Sequence, residues 1–434
     1  MKINSIILSA GKGTRMKSEK PKVIQPVLGY EMVNHVLKAL TSAGVESNLL
    51  VVGYKKDEVL SSIDSRFKFD FVEQTEQLGT GHAVLVAKEK LADADGITIV
   101  TSGDTPLVTA DTFKELVSFM QEYDSDLAVL TTKYDDPTGY GRIVRNTDGT
   151  LAKIVEQKDA DSETLKLNEV NTGVYAFDNK KLFKYIEQID NKNAQGEYYL
   201  TDLIELFKIG NENVHAFCTL DNEQVIGVND LVALEQVNSI LRKRINKEHM
   251  LNGVQIINSD STFIGPNVTI GEGTIIYPGN VILGDCEIGG SVVLHANNTI
   301  EDSNVGAGTS VGPMAHLRNQ TKVGEECRIG NFVEFKNVEF GNGSKSAHLT
   351  YLGDAVVGTD VNIGCGVITA NYDGQNKFVT KIGNNVFVGS NVNLVAPVSV
   401  SDRSFIAAGT TVTADVDADK FVIDRQPMRI KDKK

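Results

Sequence analysis

The chain has 434 residues, enough for two domains with separate cores, and 43 Lys plus Arg against 57 Asp plus Glu leave a net charge of −14. That balance argues against a general nucleic-acid binder, which needs a basic footprint, but a few local cations can still hold a small phosphorylated substrate. The cysteines Cys218, Cys286, Cys327 and Cys365 lie far apart with no C-x-x-C pair, which argues against a zinc site or disulfide framework and for a reducing, cytoplasmic setting.

The opening MKINSIILSAG carries a short apolar run that leads straight into a glycine loop. It is too short to span a bilayer and lacks a cleavage site, so it predicts a first strand, with no membrane attachment. Residues 1–228 then alternate strand-like runs with helical stretches, the pattern of an α/β, Rossmann-like domain with a largely parallel sheet. LLVVGY at 49–54 and ITIVTSGD at 97–104 are two such runs. Between them MVNHVLKALTSAG places Val33, Val36, Leu37 and Leu40 on one helical face, with Gly44 as a stop. Apolar residues at helical spacing between Asp230 and Leu251 predict a linker helix over 229–252.

From Gly253 to the end, over 253–434, the period becomes six. Ile264, Ile270, Ile276, Ile282, Ile288, Leu294 and Ile300 form one series; Val305, Val311, Leu317, Val323, Ile329 and Phe335 a second; Ile382, Val388, Leu394, Val400, Ile406 and Val412 a third. Chance would produce all three about once in 10⁵ sequences of this hydrophobic content. The period predicts a left-handed parallel β-helix of hexapeptide repeats, with three units to a coil and the aliphatic residue of each unit inside. The register slips near 300–305 and 335–340, and NYDGQNKFVTKI at 371–382 interrupts it, so these extra residues should leave the helix as a loop.

Two places carry chemistry. Leu8-Ser9-Ala10-Gly11-Lys12-Gly13-Thr14-Arg15-Met16 follows the first strand and precedes Pro21-Lys22. Its glycines let a phosphate approach the backbone. It lacks the third glycine of a dinucleotide turn and the G-K-[ST] of a Walker loop. Arg15 and Lys22 suit a triphosphate better than a dinucleotide. Asp104 closes an apolar strand, where a carboxylate facing phosphates holds Mg²⁺ or is only a turn residue. Gln77-Leu78-Gly79-Thr80-Gly81-His82 and Gly139-Tyr140-Gly141-Arg142 add two further polar stretches. In the second half, Ser344 to Tyr351 breaks the aliphatic period with polar groups. Arg318 and Lys336 lie one coil apart and should stack, as a sugar-phosphate clamp or as solvated corner residues. His348 reads as a general base or as a surface histidine.

Together these stretches resemble the sugar-nucleotidyltransferases, and among them the bacterial bifunctional N-acetylglucosamine-1-phosphate uridylyltransferase / glucosamine-1-phosphate N-acetyltransferase family. The resemblance covers nearly the whole chain, with both halves in order. It implies that Leu8, Ser9, Ala10 and Gly11 contact the uridine nucleotide, that Arg15 and Lys22 hold its phosphates, and that Gln74, Gly79 and Thr80 read the uracil. It further implies nucleotide contacts at Ser102, Gly103 and Asp104, Mg²⁺ on Asp104 and Asn229, and sugar contacts at Gly141, Glu156 and Asn171. For acetyl transfer it implies His348 as base, Arg318 and Lys336 on the 1-phosphate, and Tyr351 and Asn362 on the sugar. Cys365, Asn371, Tyr372, Ser390, Ala408 and Arg425 would line the acetyl-CoA site. UTP and acetyl-CoA would be the co-substrates, the product would serve peptidoglycan synthesis, and three copies would assemble through their β-helices. The sequence departs from the family at Ser9 and Cys365, where it has alanine, at Gln25, where it has histidine, and at Gly29-Tyr30-Glu31-Met32, where it has G-K-P-M. Two competing readings are a single-activity nucleotidyltransferase whose β-helix serves only assembly, and a scaffold with decayed sites.

Overall fold

Neighbouring residues in a strand point to opposite faces, so runs such as SIILS and LLVV need apolar cover on both sides. The computed structural model, which describes residues 2–426 and 428–433, supplies that cover in the first of the two units into which the chain divides, 1–240 and 241–434. The main strands of the first unit are β1 (Ile3–Ser9), β2 (Ser47–Val52), β3 (Asp70–Glu73), β4 (Ile97–Ser102), β5 (Leu127–Lys133), β6 (Arg142–Arg145), β7 (Leu151–Val155), β8 (Glu169–Asp178) and β9 (Val214–Cys218). Their order is β9-β5-β8-β4-β1-β2-β3, and the β6–β7 hairpin joins through β8. Every pairing on the main path is parallel except those of β8, which runs antiparallel between β4 and β5.

Ile6, Val51, Val100, Val129 and Phe177 pack on one side of this sheet. Ile7, Leu50, Val52, Ile99 and Leu130 pack on the other, against helix α1 (Met32–Ser42) and helix α2 (Ala110–Glu122), whose Phe113 and Leu116 are buried. Val33, Val36, Leu37 and Leu40 all face that second core. Gly44, at φ 88°, follows the helix end where the chain must turn left-handed. Helix α3 (Leu231–Leu251) contains the division between the units.

In the second unit every member of the three six-spaced series lies in one continuous core, Ile270 being only partly covered. Successive coils pair in parallel, as Ile264 with Ile282, Ile282 with Ile300, and Ile300 with Leu317. Two sheets, of ten and fifteen short strands, make up the prism walls. This is the left-handed β-helix that the period predicts. The core also shows a third slip, from Leu352 to Val357, and an inward position taken by Ser346, which pairs with Ile329 above and Ile363 below. Residues 372–377 leave the walls as an exposed loop, bridged between Tyr372 and Lys377. At the corners buried polar groups bond to the next coil, Thr274 Oγ1 to Gly289 O at 2.8 Å and Thr309 Oγ1 to Gly324 O at 2.9 Å. No helix among the described residues is long and apolar enough to cross a membrane.

Because each coil is filled by few side chains, one truncation opens a void its neighbours cannot close. Leu317→Ala should cost about 2–5 kcal/mol, read as an earlier urea transition of the β-helix with the first unit's transition unmoved.

Candidate functional site

Parallel strands aim their carboxyl ends at one edge of the sheet, where side chains of sequence-distant loops meet. A cavity of about 440 Å³ opens there in the first unit, and Leu8, Ala10, Gly11, Lys22, Gln74, Gly79, Thr80, Ser102, Asp104, Glu156 and Asn171 all line it. Its glycine loop is tight. Gly13 has φ 62°, and a Cβ there would lie 2.6 Å from Lys22 Cβ, so the glycine lets the loop close onto the lysine. The Lys22 ammonium forms an ion pair with Asp104 and donates to Asn229 Oδ1 at 3.2 Å, while Arg15 Nη2 donates to the same oxygen at 2.9 Å. The Lys22 ammonium thus bridges the Asp104 carboxylate and the Asn229 amide oxygen, and Arg15 shares that amide oxygen.

At another part of the cavity the Gln74 carboxamide is buried, its Nε2 donating to Gly79 O at 3.2 Å and facing His82 Nδ1 at 3.0 Å. Glu156, just past the end of β7, lines this side of the cavity. Burial pushes the Glu156 carboxyl up, and Thr201 Oγ1 donates to it at 3.5 Å. Outside the lining, burial, with Asp190, Glu205 and Asp159 nearby, pushes Asp202 up to about 6. Along β8 the pairing with β5 shifts register between Asn171 and Tyr175. Asn171, Gly173 and Tyr175, two residues apart along the strand, all reach the cavity.

Ser9, Gly103, Gly141, Arg15 and Asn229 lie outside the cavity lining. Ser9 is buried on the opposite face from Leu8 and Ala10, its Oγ without a partner, because alternation along β1 turns it away. Gln77, whose Nε2 donates to Ala10 O at 2.9 Å, and Tyr175, Glu197, Leu200 and Thr201 are lining residues the sequence reading missed. Only Gln77, inside a polar stretch already singled out, had a signal.

On the β-helix, register puts Arg318 directly against Lys336. Arg318 donates to Glu334 Oε1 through Nε at 2.9 Å and Nη2 at 2.6 Å. Lys377, on the exposed loop, approaches Lys336 and pulls its pKa down, with Arg318 adding to the effect. Three cations therefore share one small region. His348 is exposed, and its Nδ1 meets Asn331 Oδ1 at 2.8 Å. An amide oxygen only accepts, so Nδ1 carries a hydrogen toward it and Nε2 is the ring nitrogen left without a bond to Asn331. Asn371 donates to Asp354 Oδ2 at 2.6 Å, and Tyr372 Oη to Gly374 O at 2.6 Å.

The registers Ser346 with Ile363, Ile363 with Val388 and Val388 with Ile406, continued by two residues, set His348, Cys365, Ser390 and Ala408 on successive coils along one edge. Asn362 lies on the strand Asn362–Ile363 before that edge, and Tyr351 opens the strand after it. Arg425 is exposed beyond the last strand. A cavity of about 360 Å³ beside His348 includes Asn331, His295 and Arg328 but none of Arg318, Lys336, Tyr351 or Asn362. A convex prism edge cannot enclose a ligand by itself. Asn331, Glu334 and Lys377 were missed in the sequence, although Asn331 lies one coil before His348 and was open to the same counting that paired Arg318 with Lys336.

A nucleotide-sized cavity at a parallel-sheet edge, followed by a hexapeptide β-helix, defines a nucleotidyltransferase with an appended second domain. Residues 4–224 match the Nucleotidyl transferase family. The chain is similar to the bifunctional protein GlmU of Streptococcus uberis, 47% identical over 99% of this chain and 96% of that one. It is also similar to those of Exiguobacterium sibiricum, 47% identical over 97% of both chains, and a Geobacillus species, 45% identical over 97% of this chain and 95% of that one. The chain belongs to the bifunctional GlmU family.

An acid whose folded pKa lies above its unfolded value holds its proton more tightly when folded. Asp202 therefore costs no stability below the ordinary aspartate value of 3.8 and destabilises increasingly as pH rises through 6. Asp202→Asn should raise the thermal midpoint of the first unit at pH 8 and leave it unchanged at pH 3.5.

Proposed function

We propose that the chain is a bifunctional transferase of UDP-N-acetylglucosamine synthesis, with uridylyl transfer assigned to residues 1–228 and acetyl transfer to residues 253–434. The β-helix first moves an acetyl group from acetyl-CoA to glucosamine-1-phosphate. The N-terminal domain then joins the product to UTP and releases pyrophosphate. The observation that carries this reading is the convergence of Lys22, Arg15, Asp104 and Asn229 at the mouth of a glycine-lined cavity.

In uridylyl transfer a phosphate oxygen of the sugar attacks the α-phosphorus in line, and the bond to pyrophosphate breaks. The nucleophile is already an anion, so no general base is needed. Arg15 and Lys22 offset the charge that builds on the phosphates, and Glu156 and Asn171 hold the sugar. Asp104 and Asn229 fit Mg²⁺, which takes one or two protein oxygens and leaves its other positions to water and phosphate. Among the described residues no group of three or more His, Cys, Asp or Glu offers an all-protein cage, and such a cage is not what Mg²⁺ requires. When bound, Mg²⁺ neutralises phosphate charge.

For acetyl transfer, His348 Nε2 takes the proton of the sugar's amine as the nitrogen attacks the thioester carbonyl and coenzyme A leaves as thiolate. Arg318, Lys336 and Lys377 hold the 1-phosphate, and Tyr351 and Asn362 the sugar. The edge formed by Cys365, Ser390 and Ala408, with Asn371, Tyr372 and Arg425, carries acetyl-CoA. The split between the His348 cavity and the Arg318–Lys336 cluster supports a homotrimer, in which a neighbouring copy completes each cleft. The enzyme works in the cytoplasm on small-molecule substrates and supplies cell-wall precursor.

A coupled assay from glucosamine-1-phosphate, acetyl-CoA and UTP should yield both free coenzyme A and pyrophosphate; absence of pyrophosphate with nucleotide still bound would favour a scaffold. His348→Ala should lower acetyl transfer roughly 10²–10⁴-fold with uridylyl transfer intact. Sedimentation at micromolar concentration should give three times the chain mass, and a monomer there would refute the shared cleft.

A further inference from the structure

Uracil and cytosine differ at N3, which carries a hydrogen in the first and a lone pair in the second. They differ at position 4 as well, but one atom of fixed polarity held opposite N3 is enough to tell them apart. Gln74 offers a carboxamide, whose oxygen and NH₂ exchange places on a half-turn with almost no change of shape. Its orientation must therefore be imposed by neighbours.

Two neighbours do so. Gly79 O is a pure acceptor 3.2 Å from Gln74 Nε2, which makes that atom the NH₂. The same nitrogen lies 3.0 Å from His82 Nδ1. With one hydrogen directed at the carbonyl, the second points at His82, whose Nδ1 must present its lone pair. Gly79 itself is held in place, with φ 112° and room for no Cβ against Tyr198 O at 2.6 Å. His82 lies in the first turn of the helix Thr80–Val86, beside the Tyr198 ring. Both hydrogens of Gln74 are thereby engaged, and its oxygen is the atom left for the cavity that Gln74 lines.

We propose that His82 is a positioning residue: it holds Gln74 as a hydrogen-bond acceptor and so makes the site choose a pyrimidine with an N3 hydrogen, uracil or thymine, over cytosine. This rests on the reading of the cavity as a uridylyl-transfer site. Without the imidazole lone pair, one bond to Gly79 O alone resists the half-turn that would present NH₂ to cytosine N3.

The test measures pyrophosphate release with UTP and with CTP for the wild type, His82→Leu and His82→Asn. Leucine fills similar space without an acceptor, whereas the asparagine oxygen falls where Nδ1 was. His82→Leu should lower the UTP-to-CTP ratio of kcat/KM about tenfold or more, through a higher KM for UTP and a lower one for CTP. Its kcat at saturating UTP should stay within about threefold of wild type, which a misfolded domain would not achieve. His82→Asn should keep the wild-type ratio. An unchanged ratio in His82→Leu, an equal loss in both variants, or a fall in kcat with the ratio unmoved would each overturn the proposal. Failure of the wild type to release pyrophosphate from UTP would instead refute the uridylyl-transfer reading itself.

Discussion

Parallel pairing in register is the constraint on which both halves of this molecule rest. In a parallel sheet every strand runs the same way, so the loops that follow them gather at one edge, and side chains far apart in sequence become neighbours. In the first unit this brings Gly11, Gln74 and Asp104, from the ends of three strands, around one cavity. In the second the same pairing is repeated coil by coil, and it converts a spacing of about one coil into direct contact, as with Arg318 and Lys336.

The two halves solve the problem of a binding site in different ways. The sheet of the first unit has cores on both faces and an open edge, and the antiparallel strand β8 with its bulge closes the far side of the cavity. The β-helix has its core inside, and its charged groups lie on the outside of the prism. Corner residues at the edges escape the demand for inward aliphatics. His348, held by Asn331, stands on such an edge, and the loop carrying Lys377 extends from one. A polar edge there costs little core: only Ser346 replaces an aliphatic residue in the coil that bears His348.

Charge organises both sites despite the acidic chain. Lys22 and Arg15 meet two oxygen acceptors, and Arg318 is tied down by Glu334, so these three cations have fixed partners. Preset partners of this kind reduce the ordering needed on binding. Glu156, which lines the cavity, and Asp202, next to the lining residue Thr201, are different: there burial raises the pKa of each carboxyl.

By itself the sequence determined the two kinds of architecture, because apolar runs alternating with helical stretches, and then a period of six, follow from which side chains must face inward, and that is written in the order of apolar residues. The same reasoning reached the glycine loop, Asp104 and the Arg318–Lys336 stack, whose spacing or strand position is local. Only the tertiary structure decided that Ser9 turns away from the cavity while Gln77, Tyr175 and Thr201 face it, that Asn331 holds His348, and that Lys377 returns to Lys336. Those outcomes depend on strand alternation and the path of a loop, and each is settled by packing between segments that no spacing rule along the chain connects.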